Sequence, residues 1–378
     1  MAIIHPFKGI RATADKVHLF VSRSLATYNN DNIKQKLDTN PYSFIHIIKT
    51  IFDKQKITKN PFSNINKKIN QFLKDEIIKQ EKSDSFYLYE QKKGKDFFTG
   101  LISIIPTSEI EKNNIFLHEK IIKKRLDIFA KYLKKVKINA EPILLAHKKN
   151  DKINIIYENV KKNRPSYNFT TTDKVNHKLW IINDKKNMSN LIRHFNEIKK
   201  LYLADGHHRL NSSLKVNSKY FMSCLIQEDN LKIYGFNRIL KTHHKTNIDQ
   251  KIKKLSSEYK ISIKEPNYKL KEENEIGIYY ENKYYSLKYN LDMLNIEFIS
   301  KILPIFSKKN AISLKYISSQ NPQKDILKKC KKNEIIFFVK PVKFKKIKDI
   351  AEQHKHLPPK STYILPKLRS GLVLYKFK

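Results

Sequence analysis

Glycine and cysteine are scarce in this chain, and each scarcity narrows what the chain can do. Seven glycines in 378 residues stand against the roughly 26 that an average usage of about 7% would give. Glycine-rich phosphate loops are accordingly missing: there is no GxxxxGK[ST] and no GxGxxG. A GxSxG elbow and the HRD and DFG signatures of protein kinases are missing too, which removes the common hydrolase and kinase machineries. The two cysteines, Cys224 and Cys330, lie far apart without metal-type spacing, so neither a disulfide framework nor a zinc site is expected. No stretch approaches the roughly 18 to 20 uncharged apolar residues of a membrane span. The opening MAIIHPFKGIR lacks an apolar segment followed by a small-residue cleavage site, so the expected location is the cytoplasm, with no membrane partner.

Arginine is also rare, supplying eight of the 76 basic residues against 36 acids and a net charge of +40. Such a charge points first to nucleic acid or an anionic membrane surface. The lysines, however, are spread through IIKKR, LAHKKN and KFKKIK without one basic arm, and the excess of Lys, Asn and Ile is what an A·T-rich coding sequence produces. Nucleic acid therefore ranks below nucleotides and small molecules as a partner. An arginine retained against that drift is needed for planar, bidentate contact. This singles out Arg125 and Arg209, and beside them Arg11, Arg23, Arg164, Arg193, Arg238 and Arg369.

What is abundant is apolar: 40% hydrophobic residues, with 21 Phe and 20 Tyr, ample for real cores. Ile4–Ile10 alternates like a strand, and a second apolar run follows at Val17–Val21. Helical spacing covers Asn32–Leu37, ended by Asn40–Pro41, and continues over Phe44–Phe52 before a polar stretch to Asp84. Phe86–Glu90 and Phe97–Ile105 read as a hairpin around Gly94. A helix is expected from Ser108 to Lys137. Short apolar runs at Ile143–Ala146, Lys152–Tyr157, Leu179–Ile182 and Leu201–Leu203 indicate a mixed α+β sheet. Phe221–Ile226 and Leu231–Phe236 read as a second hairpin, a polar linker or surface helix spans Lys241–Asn274, and strands follow at Ile276–Tyr280 and Ile335–Lys340. The resulting division is a core over residues 1–245 and a C-terminal α+β portion over 246–378 that ends in a proline-marked tail.

Most of the chemistry concentrates in LYLADGHHRLNSSLK. A strand ends at Leu203, Gly206 makes a turn and a helix starts near His207, so backbone N–H groups and the positive end of the helix dipole face one point. Arg209 can grip phosphate oxygens bidentately. Asp205 can hold a metal or accept a proton, and His207 and His208 titrate near neutrality. The plain alternative is a capping aspartate beside ordinary polar histidines. A second cluster, FLHEKIIKKR, sets His118 beside Glu119 with Arg125 six residues on. It is not HExxH, because Ile122 stands where the second histidine belongs. FTTTD at Phe169–Asp173 reads as plain strand, and Pro358–Leu372 offers Lys360, Ser361, Thr362, Lys367 and Arg369 beside rigid prolines, as a structural tail or a lid.

Taken in order, HPFKGIRAT, NPYSFIH, YLYEQ, HEK…R, NAEPILL, TTTD…LW, ADGHHR, FNRILK and PPKSTYILPKLRSGL resemble the domain-of-unknown-function family 1015 along almost the whole chain. Two departures stand out. SRSLATYNN replaces the PPYD usual elsewhere in the family, and Ile121 replaces the threonine of HEDT or HEKT. The family resembles the ParB and sulfiredoxin superfamily, whose Gly-x-x-Arg turn binds nucleotide phosphate, and free-serine kinases with that fold; Gly206-His207-His208-Arg209 matches the turn. The resemblance implies mixed sheets with flanking helices around a ParB/sulfiredoxin-like core. It also implies phosphoryl transfer from ATP or ADP to a hydroxyl metabolite such as free serine, with Mg²⁺ neutralising the phosphates. Arg209, Arg125, His118 and the Gly206–His207 amides would then bind phosphate, Glu119 or Asp205 would activate the hydroxyl, and His207 or His208 would stabilise charge. The competing expectations are a nucleic-acid-binding regulator and a non-catalytic nucleotide or metabolite sensor.

Overall fold

A computed structural model describes residues 1–24, 27–52, 61–242, 247–290, 293–307 and 313–377. The architecture is mixed α+β with several sheets, as expected. The chain forms two compact units: Met1–Leu231 together with Pro366–Lys378, and Lys232–Leu365.

The first unit is built on eight strands: β1 (Phe86–Lys93), β2 (Asp96–Pro106), β3 (Ile115–Phe116), β4 (Ile143–His147), β5 (Tyr167–Thr170), β6 (Asn176–Ile182), β7 (Leu201–Asp205) and β8 (Tyr220–Gln227). Their order across the sheet is β3-β7-β4-β8-β2-β1-β6-β5. The pairs β3–β7 and β4–β8 run parallel, the rest antiparallel. One face carries Leu88, Leu101, Ile105, Ile143, Leu145, Trp180 and Phe221, all buried. Against it pack α2 (Asp151–Lys161) through Ile153 and Ile156, and α3 (Lys185–Asn196) through Leu191 and Phe195. Two further helices matter for the site: α1 (Lys123–Val136) and α4 (His207–Lys215), which pack on each other.

The second unit has a six-stranded antiparallel sheet and its own core, in which Leu240, Ile276, Ile278, Leu287 and Phe337 meet helices Ile248–Ser256 and Asn295–Phe306.

Several sequence expectations need correction. The helix expected over Ser108–Lys137 is interrupted: a short turn at Ser108–Glu111 and strand β3 precede an extended segment, and α1 begins only at Lys123. Lys152–Tyr157 is helical, because the Asn150 side chain accepts from the amides of Lys152 and Ile153 and starts α2 there. The Lys-rich stretch before Asp84 contains a 14-residue helix, Pro61–Lys74, whose Ile65, Ile69 and Phe72 are buried. Val17–Phe20 is a helical turn, and the opening strand is confined to Ile10–Ala12, paired with Ile78–Gln80. Lys232–Tyr234 does not close a hairpin on β8 but pairs with Tyr363–Leu365. Part of SRSLATYNN, Leu25 and Ala26, lies outside the described residues.

The boundary expected at 245/246 also shifts. The second unit begins at Lys232, and the tail from Pro366 returns to the first. The physical reason is in the tail itself: Leu372, Val373 and Leu374 are fully buried, Gly371 donates to the Ala140 carbonyl at 2.9 Å and Leu374 to Ile10 at 2.7 Å. Burying such side chains is worth about 1.5 to 3 kcal/mol each. Truncation after Leu365 should therefore lower the stability of the first unit by at least about 4 kcal/mol. The single tryptophan, Trp180, belongs to that unit, so urea unfolding followed by its fluorescence reads the effect directly; an unchanged midpoint would refute it.

Candidate functional site

The Asp205–Gly206–His207 junction forms as expected. Strand β7 carries buried Leu201 and Leu203 and ends at Asp205. Its register against β4 slips between Leu203 and Asp205, an irregularity of the kind that redirects a side chain at a strand end. Gly206 then adopts φ +110° and ψ 24°, and α4 starts with no side chain capping it. The helix therefore presents its first amides and its positive dipole end to the turn. A side chain at 206 is excluded twice over, by this left-handed backbone and by space, since a Cβ there would lie 2.9 Å from Arg209 Nη2 and 3.1 Å from Nε.

That close approach shows where the guanidinium lies: folded back beneath the turn. Arg209 Nη2 donates to Asp205 Oδ2 at 3.0 Å, and Nη1 donates to Glu141 Oε1. The other Asp205 oxygen accepts from Lys367 Nζ at 2.6 Å, and the other Glu141 oxygen accepts from Ser370 Oγ at 2.8 Å. Lys367, Asp205, Arg209, Glu141 and Ser370 thus form one hydrogen-bonded chain of alternating charge that sums to zero. Burial pulls the Arg209 guanidinium down to about 10, and two carboxylates keep it cationic at neutral pH. Sequence reasoning assigns no role to Glu141, which stands inside NAEPILL just before Pro142 at the start of a buried strand.

The two histidines after Gly206 reach the extended segment ahead of α1. His118 N–H points to His207 Nε2 at 3.5 Å, and Ile122 N–H donates to His208 Nε2 at 2.9 Å. Accepting at Nε2 places each neutral ring's proton on Nδ1. The His118 and His207 rings meet edge to face, 4.6 Å between centroids, both buried. Glu119 is half-buried beside them, and Arg125 is exposed in the first turn of α1. The other arginines lie elsewhere. Arg11 pairs with Glu81 and sits over Tyr167, and Arg23 sits over Tyr28 at 4.4 Å. Arg238, Lys360, Ser361 and Thr362 belong to the second unit, where Arg238 is buried and donates to the Phe236 carbonyl at 2.9 Å. In that unit Lys360 sits over Phe236, and Ser361 Oγ donates to the Pro358 carbonyl.

Arg369 is held by a separate buried network. Its Nη2 donates to both Asp173 oxygens, at 2.8 and 2.9 Å, and to Thr171 Oγ1 at 3.2 Å, while its Nε donates to His177 Nε2 at 3.3 Å. Tyr89 Oη meets His177 Nδ1 at 2.7 Å. Thr171 of FTTTD thus serves this clasp. Burial, helped by the Arg369 charge, pushes His177 down to about 3. Burial opposes ionisation of Asp173, yet hydrogen bonds from Thr171 and Arg369 outweigh it and bring the carboxyl down to about 2.

Two outcomes follow from this geometry. Gly206→Ala should cost about 1 to 3 kcal/mol through backbone strain and displacement of the guanidinium, read by urea unfolding at Trp180. In acid, His177 contributes to the first loss together with buried His147, which burial lowers to about 4. Above pH 6.5 both states hold His177 neutral and stability is full; between 6.5 and about 3 only the unfolded chain takes up the proton, at about 1.4 kcal/mol per pH unit. His177→Gln should flatten the stability slope between pH 6.5 and 4.5 by about one proton, and a slope that stays as steep would sink that assignment. The Asp173 contribution persists above pH 3.8 and is lost toward pH 2.

No curated protein matches the sequence. Among solved structures, the chain is similar to SbnI with a C-terminal truncation from Staphylococcus aureus, with 12% identity, TM-score 0.42, and 70% of this chain and 82% of that one covered. It is similar to free serine kinase in complex with AMP, with 16% identity, TM-score 0.42, and 72% and 91% covered. It is also similar to a conserved hypothetical protein from Pyrococcus furiosus, with 16% identity, TM-score 0.40, and 72% and 95% covered. Likenesses this distant carry nothing about ligand or reaction. The family described as protein of unknown function (DUF1015) matches over residues 4–309, and the chain belongs to that family.

Proposed function

We propose that the first unit seats nucleotide phosphates at the Gly206 turn and transfers a phosphoryl group to the hydroxyl of a small metabolite, with free serine as the representative acceptor. The supporting observation is the uncapped start of α4 behind a glycine at φ +110°, where backbone amides and the helix dipole converge on one point. Arg209 takes a different part from the bidentate grip expected of it. Lying beneath the turn between Asp205 and Glu141, it is neutralised there and orients Asp205, so the amides meet the anion.

In the reaction the acceptor oxygen attacks the terminal phosphorus, the bond to the leaving phosphate breaks, and the hydroxyl proton passes to a carboxylate, Asp205 or Glu119. Asp205 is the more exposed of the two carboxylates flanking Arg209, at 35% against 15% for Glu141. Among the described residues no three metal-ligating side chains converge. Mg²⁺ would accordingly come with the nucleotide, needing only one or two carboxylates besides the phosphates, and Asp205 is the residue placed to meet it. The ion would neutralise phosphate charge. His207 and His208, at the first two positions of α4, would stabilise the developing charge.

One observation favours a second reading. Both Asp205 oxygens already accept from cations, an arrangement equally suited to a sensor that binds without turnover. Purified protein incubated with ATP or ADP, Mg²⁺ and a panel of hydroxyl-bearing amino acids, followed by ³¹P NMR, decides between them. A kinase consumes nucleotide and gives a phosphorylated acceptor, and Asp205→Asn or Glu119→Gln lowers the rate about 10² to 10⁴-fold, whichever is the base. Nucleotide-induced thermal stabilisation without turnover identifies the sensor. Neither stabilisation nor turnover across the panel refutes both.

A further inference from the structure

Beside the turn stands a group of cations that the reading above leaves unused. The segment from Lys120 into the first turn of α1 holds Lys120, Lys123, Lys124 and Arg125, all exposed, against a single acid, Glu119. None of the four has an ion-pair partner among the described residues. Asp127, the next acid along, is taken by Lys215 at 2.6 Å. The segment is fixed against the start of α4 by the Ile122 N–H bond to His208 at 2.9 Å and by Ser212 Oγ to the Leu126 carbonyl at 3.3 Å. Four exposed cations, outnumbering the acids beside them, therefore flank the same helix start that faces the turn, whereas the Lys367–Asp205–Arg209–Glu141 chain beneath it is neutral.

We infer that this ridge receives the outer part of a polyphosphate chain whose inner phosphate lies on the Gly206 turn, so that the site ranks nucleotides by their number of phosphates. The inference rests on the nucleotide reading of the turn and assigns Lys120, Lys123 and Lys124, with Arg125, to specificity. A neutral chain beneath the turn gives a monophosphate only amides and a dipole to bind. Each added phosphate carries charge toward the ridge, where a pair of unit charges about 6 Å apart in a water-like dielectric changes affinity about threefold, less at higher salt.

The test measures binding of AMP, ADP, ATP and inorganic tripolyphosphate to the full chain by calorimetry. EDTA is included so that Mg²⁺ does not mask phosphate charge. Wild-type affinity rises from AMP to ATP by about tenfold or more, and tripolyphosphate competes with ATP. In K120Q/K123Q/K124Q/R125Q, all exposed positions, the rise collapses while AMP affinity holds within about threefold. The control K92Q/K93Q/K95Q removes three exposed lysines at the β1–β2 turn of the same unit. The sheet register places Asp205 level with Leu144, Cys224 and Ile102, and Lys95 lies seven residues further along, about 23 Å away. This control keeps the full ranking. Equal binding of AMP and ATP, or a control that flattens the ranking as much as the ridge variant, overturns the ridge assignment and leaves the turn standing. Failure of every probe to bind overturns the nucleotide reading with it.

Discussion

The site depends on keeping one guanidinium charged and still in a place with little water. Arg209 reaches under Gly206 to two carboxylates from different parts of the chain, Asp205 four residues before it and Glu141 sixty-eight residues before it. Such a cation is costly to bury unless carboxylates answer it, as Asp205 and Glu141 answer its two terminal nitrogens, and removing one partner of such a pair typically costs about 3 to 5 kcal/mol. The glycine, the bulge at the end of β7 and the uncapped helix are linked through it. A side chain at 206 would displace the guanidinium, a regular strand end would direct Asp205 otherwise, and a capping side chain would occupy the amides.

The same interaction explains why the tail belongs to the first unit. Lys367 and Ser370 take the remaining oxygens of Asp205 and Glu141, and Arg369 between them is clasped by Asp173, Thr171 and His177. Lys367 and Ser370 lie on either side of Arg369 in the sequence, so one short stretch serves both the charge chain and the clasp. The second unit is thereby an excursion between two segments of the first, and the carboxylates beneath the turn are satisfied only when the chain has returned.

How far the sequence discloses this follows from the range of each interaction. The strand, Gly206 and the helix start are consecutive and were legible from LYLADGHHR, as was the hairpin around Gly94. Glu141 and Asp173 stand inside NAEPILL and FTTTD, but their roles were not legible there, because their partners lie 68 and 196 residues away. Helix Pro61–Lys74 was hidden for a different reason: among its described side chains Ile65, Ile69 and Phe72 are the buried ones, set among lysines and asparagines, a thin stripe easily taken for linker. The boundary was misplaced because composition shifts mark where a polar surface helix begins, not where the backbone crosses between cores.

The arginines bring the composition back into the argument. If lysine has drifted into positions where any cation will do, a retained arginine marks a place where a planar group is required. Most of the eight find that requirement inside the chain: Arg11, Arg23 and Arg238 lie over tyrosine rings, Arg209 and Arg369 meet carboxylates, and Arg193 donates to Asn190 Oδ1 at 3.1 Å. Arg125 and Arg164 are exposed with no such partner among the described residues. Of these two, only Arg125 stands in a segment fixed to the helix that follows Gly206. A planar, bidentate donor kept there without an internal acceptor matches an acceptor that arrives from solution, and phosphate oxygens have that geometry.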